Sequence, residues 1–305
     1  MGCPHRKFLM FFLEMCLILA VIVIAGCGRV HPGGSSFDTA GDTVCISVLH
    51  VGQADAALIQ YRGKNMMIDT GDVDSRASLI KQLQERRVKE IESIIITHPH
   101  GDHLGGMSAL FKNFKIHQIY DNGVSSNNAM YRNYLKHIKE YNISRSVLRK
   151  GDIVVLGEGI RFEVLSPRNT LISTENTENE TRNGAANDNS IVCRLTYKNF
   201  SMLFMGDAQK EAEKRLLADY GSHLKSDVLK VGHHGSKTSS SVTFIKTVRP
   251  MAAIISCGAG NRYNFPHTET LQILKKESVQ IFRIDRDGIV TIYSDGVKFN
   301  AEKEH

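Results

Sequence analysis

Residues 97–106 read THPHGDHLGG, with three histidines and an aspartate inside six positions. His98, His100, Asp102 and His103 follow the apolar run IESIIIT, which predicts a buried strand ending at Thr97. Imidazole and carboxylate groups on the turn after a strand can converge on one point, and zinc and manganese accept such ligands. A surface histidine cluster is the alternative, but the close spacing favours a metal site.

Two later apolar runs end in residues of the same kinds. SMLFMGD places Asp207 at the tip of a strand, where its carboxylate could bridge two ions or cap the following helix. SDVLKV is followed closely by His233 and His234. Three such clusters at three strand ends predict one shared site at the edge of a sheet.

A layered α/β domain is the fold class that would bring these strand ends together. Strand-like runs outnumber helical runs in both halves of the chain, and helices separate groups of strands, which indicates sheets covered by helices. No domain boundary is visible after Thr43, so we predict a single domain over residues 43–305. Residues 169–188 are polar and lack an apolar period, which predicts a surface loop.

The composition of the 305 residues is that of a globular protein, with 42% hydrophobic and 23% charged residues. A formal net charge of +6 is compatible with an anionic substrate. No aromatic and basic stripe for single-stranded nucleic acid is visible along the sequence. Cys45, Cys193 and Cys257 lie in apolar, strand-like runs, which predicts buried small side chains, not a disulfide framework.

The N-terminus has the layout of a secretory signal: a basic start, an apolar run from Phe8 to Ala25, and then IAGC. This ending resembles a bacterial lipobox, so we predict a signal peptide over residues 1–26 and a lipidated Cys27. Residues 27–42 are rich in glycine and serine and predict a flexible tether. The predicted location is the extracytoplasmic face of the cell membrane. An uncleaved membrane anchor is the alternative.

Together these motifs resemble the metallo-β-lactamase superfamily and, within it, the ComEC-type competence hydrolases. The resemblance covers about residues 43–295 and is carried by HVGQADAALI, MMIDTG, THPHGDHLGG, FMGD, LKVGHHGSKTSSS, ISCGAGNRYNFPHTETL and FRIDRDGIVTI. It implies an α/β fold, the αββα metallo-β-lactamase sandwich, in which two mixed β-sheets are flanked by helices. It also implies a site for one or two divalent metal ions, zinc or manganese, along one edge of the sheets.

The resemblance assigns a role to each candidate residue. The implied metal ligands are His98, His100, Asp102, His103, Asp207 and His233. The implied catalytic residues are Asp102, Asp207 and His234. The sequence does not distinguish which of the two adjacent histidines faces the metal. Asp69, in the run IDTG, would lie outside the ring of metal ligands and would orient a ligand histidine.

The chain departs from the family pattern at three places. Many members carry a further histidine before the strand that corresponds to SMLFMGD, and here Asp188 or Asn189 could substitute for it. Gln53-Ala54-Asp55 stands where the ComEC-type branch has Gln-Gly-Asp. Phe265 replaces the first histidine of an expected His-Pro-His.

Metal-dependent hydrolysis on this fold acts on several bond types, and the resemblance favours phosphodiesters, among them those of DNA. The hydroxyl and amide groups of the run GSKTSSS suit phosphate oxygens, although a solvated turn would have the same composition. The predicted substrate-binding residues are Ser236, Lys237, Asn261 and His267. The predicted partners are an anionic substrate and the membrane, through lipidated Cys27. The alternative functions are hydrolysis of another phosphoester such as phosphocholine, hydrolysis of a lactam, or binding without catalysis.

Overall fold

The computed structural model describes residues 41–173 and 182–305, which belong to one compact unit. The predicted signal peptide, Cys27 and most of the predicted tether lie outside the described residues. Within the described part of the chain, no helix is long and apolar enough to cross a membrane.

Fifteen strands are found in the described residues. In chain order they are β1 (Val44–Val48), β2 (Ala56–Tyr61), β3 (Lys64–Thr70), β4 (Glu90–Ile96), β5 (Lys115–Asp121), β6 (Ser144–Val147), β7 (Ile153–Val155), β8 (Ile160–Ser166), β9 (Val192–Tyr197), β10 (Phe200–Phe204), β11 (Val228–Lys230), β12 (Ala252–Ile255), β13 (Gln280–Arg283), β14 (Val290–Ser294) and β15 (Phe299–Lys303).

The helices of the same two segments connect these strands. They are α1 (Arg76–Glu85), α2 (Gly101–Leu104), α3 (Met107–Asn113), α4 (Ala129–Glu140), α5 (Arg182–Asp188), α6 (Lys210–Tyr220), α7 (Val242–Val248), α8 (Thr268–Lys276) and α9 (Ile284–Asp287). Short 3₁₀ turns cover Val73–Ser75, Gly221–Leu224 and Gly232–Gly235.

The strands form two mixed sheets. The first has the order β15-β14-β1-β2-β3-β4-β5-β6, and the second has the order β13-β12-β11-β10-β9-β8-β7. Strands β3 to β6 run parallel to one another, as do strands β10 to β13, and the remaining pairs are antiparallel. The predicted two-sheet α/β architecture is therefore confirmed.

Three apolar cores hold the layers together. The core between the sheets joins residues such as Ile46 and Ile68 of the first sheet to Phe162 and Phe204 of the second. A second core packs α1, α3 and α4 against the outer face of the first sheet. A third packs α6, α7 and α8 against the outer face of the second sheet. Each sheet is thus covered by helices on its outer side, which gives the αββα order of layers.

The candidate residues follow the carboxyl ends of parallel strands in both sheets. Ligand sites of α/β proteins commonly form there, because connecting loops from several strands meet at this edge. The two sheets are joined at this edge, where the Ile191 amide donates to the Thr97 carbonyl oxygen at 2.9 Å.

The predicted surface loop over residues 169–188 is wrong in its last part. Residues 182–188 form α5, and Asn187 and Asp188 are buried. The polar composition was misleading because these side chains are used at the candidate site and in capping α6. The Asp188 Oδ1 atom accepts from the Gln209 and Ala212 amides at 2.8 and 3.0 Å.

Candidate metal centre

The turn between β4 and α2 carries the first cluster of ligands. Strand β4 ends in four buried residues, and the buried His98 follows it after Thr97. Helix α2 then turns Asp102 and His103 toward the same edge. Gly106 permits this close docking, since a Cβ atom there would lie 2.0 Å from the carbonyl oxygen of Thr70.

Four residues from three strand ends form the first group of converging ligand atoms: Asp102, His103, Asp207 and His234. His103 Nε2 lies 3.3 Å from Asp207 Oδ1, and His234 Nε2 lies 3.2 Å from Asp102 Oδ2 and 3.6 Å from Asp207 Oδ1. Ligands about 2.0–2.2 Å from a common ion would be about 3–4 Å apart. His103 Nε2 and Asp207 Oδ1 are buried and make no hydrogen bond, so the donor set fits a metal ion.

The second group contains His98, His100 and Asp207. His98 Nε2 lies 2.9 Å from His100 Nδ1 and 3.7 Å from Asp207 Oδ2. Asp207 thus presents one oxygen to each group: Oδ1 faces His103 and His234, and Oδ2 faces His98. This arrangement has the form of a carboxylate that bridges two metal positions.

Asp69 lies behind the ligands and sets the orientation of His103. Its Oδ2 atom lies 2.8 Å from His103 Nδ1, so that His103 Nε2 points toward Asp207. The Thr97 amide and hydroxyl donate to the two Asp69 oxygens, each at 2.8 Å. A carboxylate on the far nitrogen of a ligand histidine fixes its tautomer and raises its basicity.

The adjacent histidines 233 and 234 differ in their surroundings. Both adopt left-handed backbone angles, with φ of 47° and 53°, an unusual pair for residues with a Cβ atom. The buried His234 joins the four-residue group, and its Nδ1 atom lies 3.1 Å from the Ser256 carbonyl oxygen. His233 is 21% exposed, and its Nε2 atom lies 3.9 Å from Asp207 Oδ2. The geometry therefore favours His234 as the ligand, the reverse of the roles that the resemblance implied for His233 and His234.

The charges of the site favour a bound cation. Burial would lower the pKa of His103, but the carboxylates of Asp207, Asp69 and Asp102 outweigh burial and raise it well above its usual range. Burial would also lower the pKa of His234, but neighbouring carboxylates, among them Asp207 and Asp55, outweigh burial and raise this pKa to about 10. The negative charge that holds these protons also attracts a metal ion, which would displace them.

Asn187 is a site residue that sequence reasoning missed. Its buried carboxamide places Nδ2 3.4 Å from His233 Nε2, and its Oδ1 atom is buried without a hydrogen-bond partner. The two residues suggested as substitutes for the absent histidine are used elsewhere. Asp188 caps α6, and Asn189 exchanges hydrogen bonds of 2.8 and 2.9 Å with the backbone of Ile172. The polar run AANDN is the only sequence signal that pointed to this position.

The four predicted substrate-binding residues lie on the two loops beside the histidines. The Ser236 hydroxyl is buried and lies 2.9 Å from the Thr238 hydroxyl. Lys237 is 60% exposed, and its amide donates to His267 Nδ1 at 3.0 Å, so Nε2 carries the proton of the neutral His267 ring. The Asn261 carboxamide is engaged within its own loop. Their role in substrate binding stays a prediction.

A four-layer αββα fold with histidines and carboxylates along one sheet edge is the architecture of a large class of metal-dependent hydrolases. The profile of the Metallo-beta-lactamase superfamily matches residues 50–259, more than two thirds of the chain. The chain belongs to this superfamily.

Two of the curated relatives are ComEC-type competence proteins. ComE operon protein 3 of Bacillus subtilis is 29% identical over 264 residues, which cover 80% of this chain and 32% of the relative. Competence protein ComA of Neisseria gonorrhoeae is 26% identical over 270 residues, covering 88% of this chain and 34% of the relative. The chain thus spans about a third of the length of these relatives. The resemblance to ComEC-type proteins is confirmed.

Solved structures agree on the fold. The metallo-beta-lactamase fold protein YhfI from Bacillus subtilis aligns with a TM-score of 0.53 at 11% identity, covering 81% of this chain and 99% of YhfI. CmlA, a diiron beta-hydroxylase from Streptomyces venezuelae, aligns with a TM-score of 0.51 at 12% identity, covering 79% of this chain and 52% of CmlA. These likenesses concern the fold alone.

Proposed function

We propose that this domain is a metal-dependent phosphodiesterase of the nuclease type, related to DNA uptake. The observation that carries the proposal is the pair of ligand groups that share Asp207, one on each carboxylate oxygen. Two adjacent metal ions can activate a water molecule and stabilise both the attacking and the leaving oxygen of a phosphodiester. The similarity to competence proteins supports a nucleic-acid substrate.

In this proposal, one ion would be held by Asp102, His103, Asp207 and His234. The other would be held by His98, His100 and Asp207, with the Asn187 carboxamide beside them. The mixed nitrogen and oxygen donors suit zinc or manganese. Asp207 thereby fixes the spacing of the two positions, and Asp69 keeps His103 in the tautomer that can bind.

The chain's own groups would contact the substrate. His233 lies on the solvent side of the ligand groups, and its Nδ1 atom lies 3.0 Å from the Thr238 hydroxyl. We assign His233 to positioning the leaving group, because burial lowers the pKa of its ring and keeps it neutral. The Nε2 proton of His267 and the exposed ammonium of Lys237 are the groups that would contact the other phosphate oxygens.

The test combines metal analysis with three substrates. The purified protein, loaded with manganese or zinc, is assayed on bis(p-nitrophenyl) phosphate, single-stranded DNA and nitrocefin. We expect turnover of both phosphodiesters and none of nitrocefin, and loss of turnover in Asp207→Ala. Nitrocefin turnover without phosphodiester turnover would make the protein a lactamase. Absence of both metal and turnover would make it a binding protein of the same fold.

We further propose that lipidated Cys27 tethers the domain to the extracytoplasmic face of the cell membrane. The proposal rests on the apolar run and the sequence IAGC at residues 24–27. Cys27→Ala should abolish lipid attachment and the lipoprotein type of processing. Mass spectrometry that finds an unmodified Cys27 with residues 1–26 still attached would instead identify a plain membrane anchor.

A further inference from the structure

An aromatic stack leads from the candidate metal centre to the surface. The Phe265 ring stacks on the imidazole of the metal-binding candidate His234, with ring centroids 6.2 Å apart and planes at 20°. The Tyr263 ring stacks on Phe265 in turn, at 5.3 Å and 18°. Tyr263 is 46% exposed, so the stack ends in an aromatic surface that is open to solvent.

The loop between β12 and α8 holds these rings in place. The Asn261 Nδ2 atom donates to the carbonyl oxygens of Gly258 and Phe265 at 2.9 and 2.7 Å. Its Oδ1 atom accepts from the amides of Tyr263 and Phe265 at 3.2 and 2.9 Å. Gln53 Oε1 anchors the start of the loop by accepting from the Gly258 amide at 3.0 Å. Because hydrogen bonds within the loop fix its conformation, the aromatic surface of Tyr263 is formed before a ligand binds.

The charge beside the exposed ring indicates what kind of ligand it suits. The Arg262 guanidinium carbon lies 4.9 Å from the Tyr263 ring centroid, and Arg262 donates to the Tyr263 hydroxyl at 2.7 Å. A quaternary ammonium group that approached this ring would meet a like charge. A planar, uncharged ring joined to a phosphate could stack on the Tyr263 ring or on the guanidinium plane of Arg262, and its phosphate would meet a cation there.

We propose that Tyr263, supported by Phe265 behind it, forms a stacking subsite for a nucleobase that flanks the scissile phosphodiester, with Arg262 contacting an adjacent phosphate. This inference rests on the proposed phosphodiesterase function and narrows its substrate to nucleic acid with an unstacked base. A base inside a duplex has both faces covered by its neighbours. A single strand is therefore the form that fits.

The experiment compares two single-stranded oligonucleotides that differ only in a tetrahydrofuran abasic residue placed next to one scissile phosphate. Cleavage at that phosphate is measured as kcat/KM for the wild-type protein, Tyr263→Ala and Tyr263→Phe. Stacking of one base is worth about 1–3 kcal/mol, so Tyr263→Ala should lower kcat/KM on the complete strand about tenfold. Tyr263→Phe keeps the ring and should retain most of the wild-type value. On the abasic strand, all three proteins should cleave alike.

A binding measurement decides the inference independently of turnover. A single strand that carries 2-aminopurine loses fluorescence when that base stacks on an aromatic ring. The wild-type protein should quench the fluorescence and Tyr263→Ala should not. Equal cleavage of both strands by Tyr263→Ala and wild type, or equal quenching, would overturn the subsite while leaving phosphodiesterase activity intact.

Failure of the wild-type protein to hydrolyse any phosphodiester would instead refute the proposed function, and the quenching measurement would still decide whether the rings bind a base. Phosphocholine is also tested as a competitor of the oligonucleotide. Competition that occurs in the wild-type protein but not in Tyr263→Ala would identify a subsite for quaternary ammonium groups. That result would contradict the assignment of the subsite to a nucleobase.

Discussion

Lys230 and Asp55 form a buried ion pair directly behind the candidate metal ligand His234. Lys230 Nζ lies 2.7 Å from Asp55 Oδ2, and both side chains are almost fully buried. The other oxygen of Asp55 lies 3.4 Å from His234 Nδ1. Burial would raise the pKa of Asp55, but Lys230 and His234 outweigh it and hold that pKa below its usual range. Asp55 thus remains an anion beside His234 Nδ1, and that nitrogen lies 3.1 Å from the Ser256 carbonyl oxygen as its hydrogen-bond partner.

Lys230→Met should destabilise the fold and weaken metal binding together. The substitution leaves Asp55 as an uncompensated buried charge, which costs about 3–5 kcal/mol of unfolding free energy. Urea denaturation measures that loss, and metal titration measures the weaker binding by His234. Adding Asp55→Asn should restore stability but not metal affinity, since the carboxylate behind His234 is gone. The exposed Lys225 provides the matched control Lys225→Met, which should change neither quantity. Wild-type metal affinity in the double variant would show that the pair has only a structural role.

Asp207→Ala should reduce metal content at both positions, whereas His98→Ala should affect one. The reason is that Asp207 presents Oδ1 to one ligand group and Oδ2 to the other, while His98 belongs to a single group. We expect the group with four protein ligands to bind more tightly and to survive in His98→Ala. Metal content after dialysis is measured by mass spectrometry, with the exposed His117→Ala as the control. Release of both ions by His98→Ala, or hydrolysis by Asp207→Ala, would contradict this assignment.

Asn187→Leu should weaken metal binding at the His98 and His100 position. The substitution keeps the approximate size of the side chain but removes the buried Oδ1 atom that lacks a partner. Loss of a polar group that supports metal ligands typically costs about 10–100-fold in metal affinity. Asn187→Asp supplies a carboxylate of the same shape and should bind at least as tightly as the wild type. Competition with a chromophoric chelator measures both affinities. Wild-type affinity in Asn187→Leu would exclude the carboxamide from the site.

The fold and most of the ligands could be predicted because their signals are local. His98, His100, Asp102 and His103 follow one apolar strand within six residues, and the strand ends before Asp207 and His234 are equally apolar. The choice between His233 and His234 was not accessible, because it depends on two consecutive left-handed residues that turn the rings in different directions. Composition does not encode that backbone geometry.

Two further features depend on contacts between distant segments. Asn187 lies in a polar stretch that resembles a loop, and it reaches the site because α5 packs against α6, which follows β10. The aromatic stack was invisible for a similar reason. Tyr263, Phe265 and Arg262 show no stripe along the sequence, and the internal bonds of Asn261 bring the two rings face to face.

The three cysteines of the domain should resist thiol reagents in the folded protein. Cys45, Cys193 and Cys257 are buried and free, as predicted from their apolar surroundings. Burial raises the pKa of Cys45 to about 11 and, together with a hydrogen bond to Asp285, raises that of Cys257 to about 12. At about pH 8, fewer than about one in a hundred of these thiols is ionised, and the thiolate is the reactive form. Labelling with iodoacetamide at about pH 8, followed by peptide mass spectrometry, should find these three sites unmodified in the native protein and modified in urea.

The raised pKa values also mean that these thiols contribute stability below about pH 9. This stability is lost as the pH rises toward 11, because the thiols of the unfolded chain ionise at lower pH than those of the folded chain. Cys45→Ala should also reduce the loss of unfolding free energy between about pH 9 and 11. Rapid native labelling of Cys45 or Cys257, or an unchanged pH dependence in Cys45→Ala, would contradict the buried, protonated state.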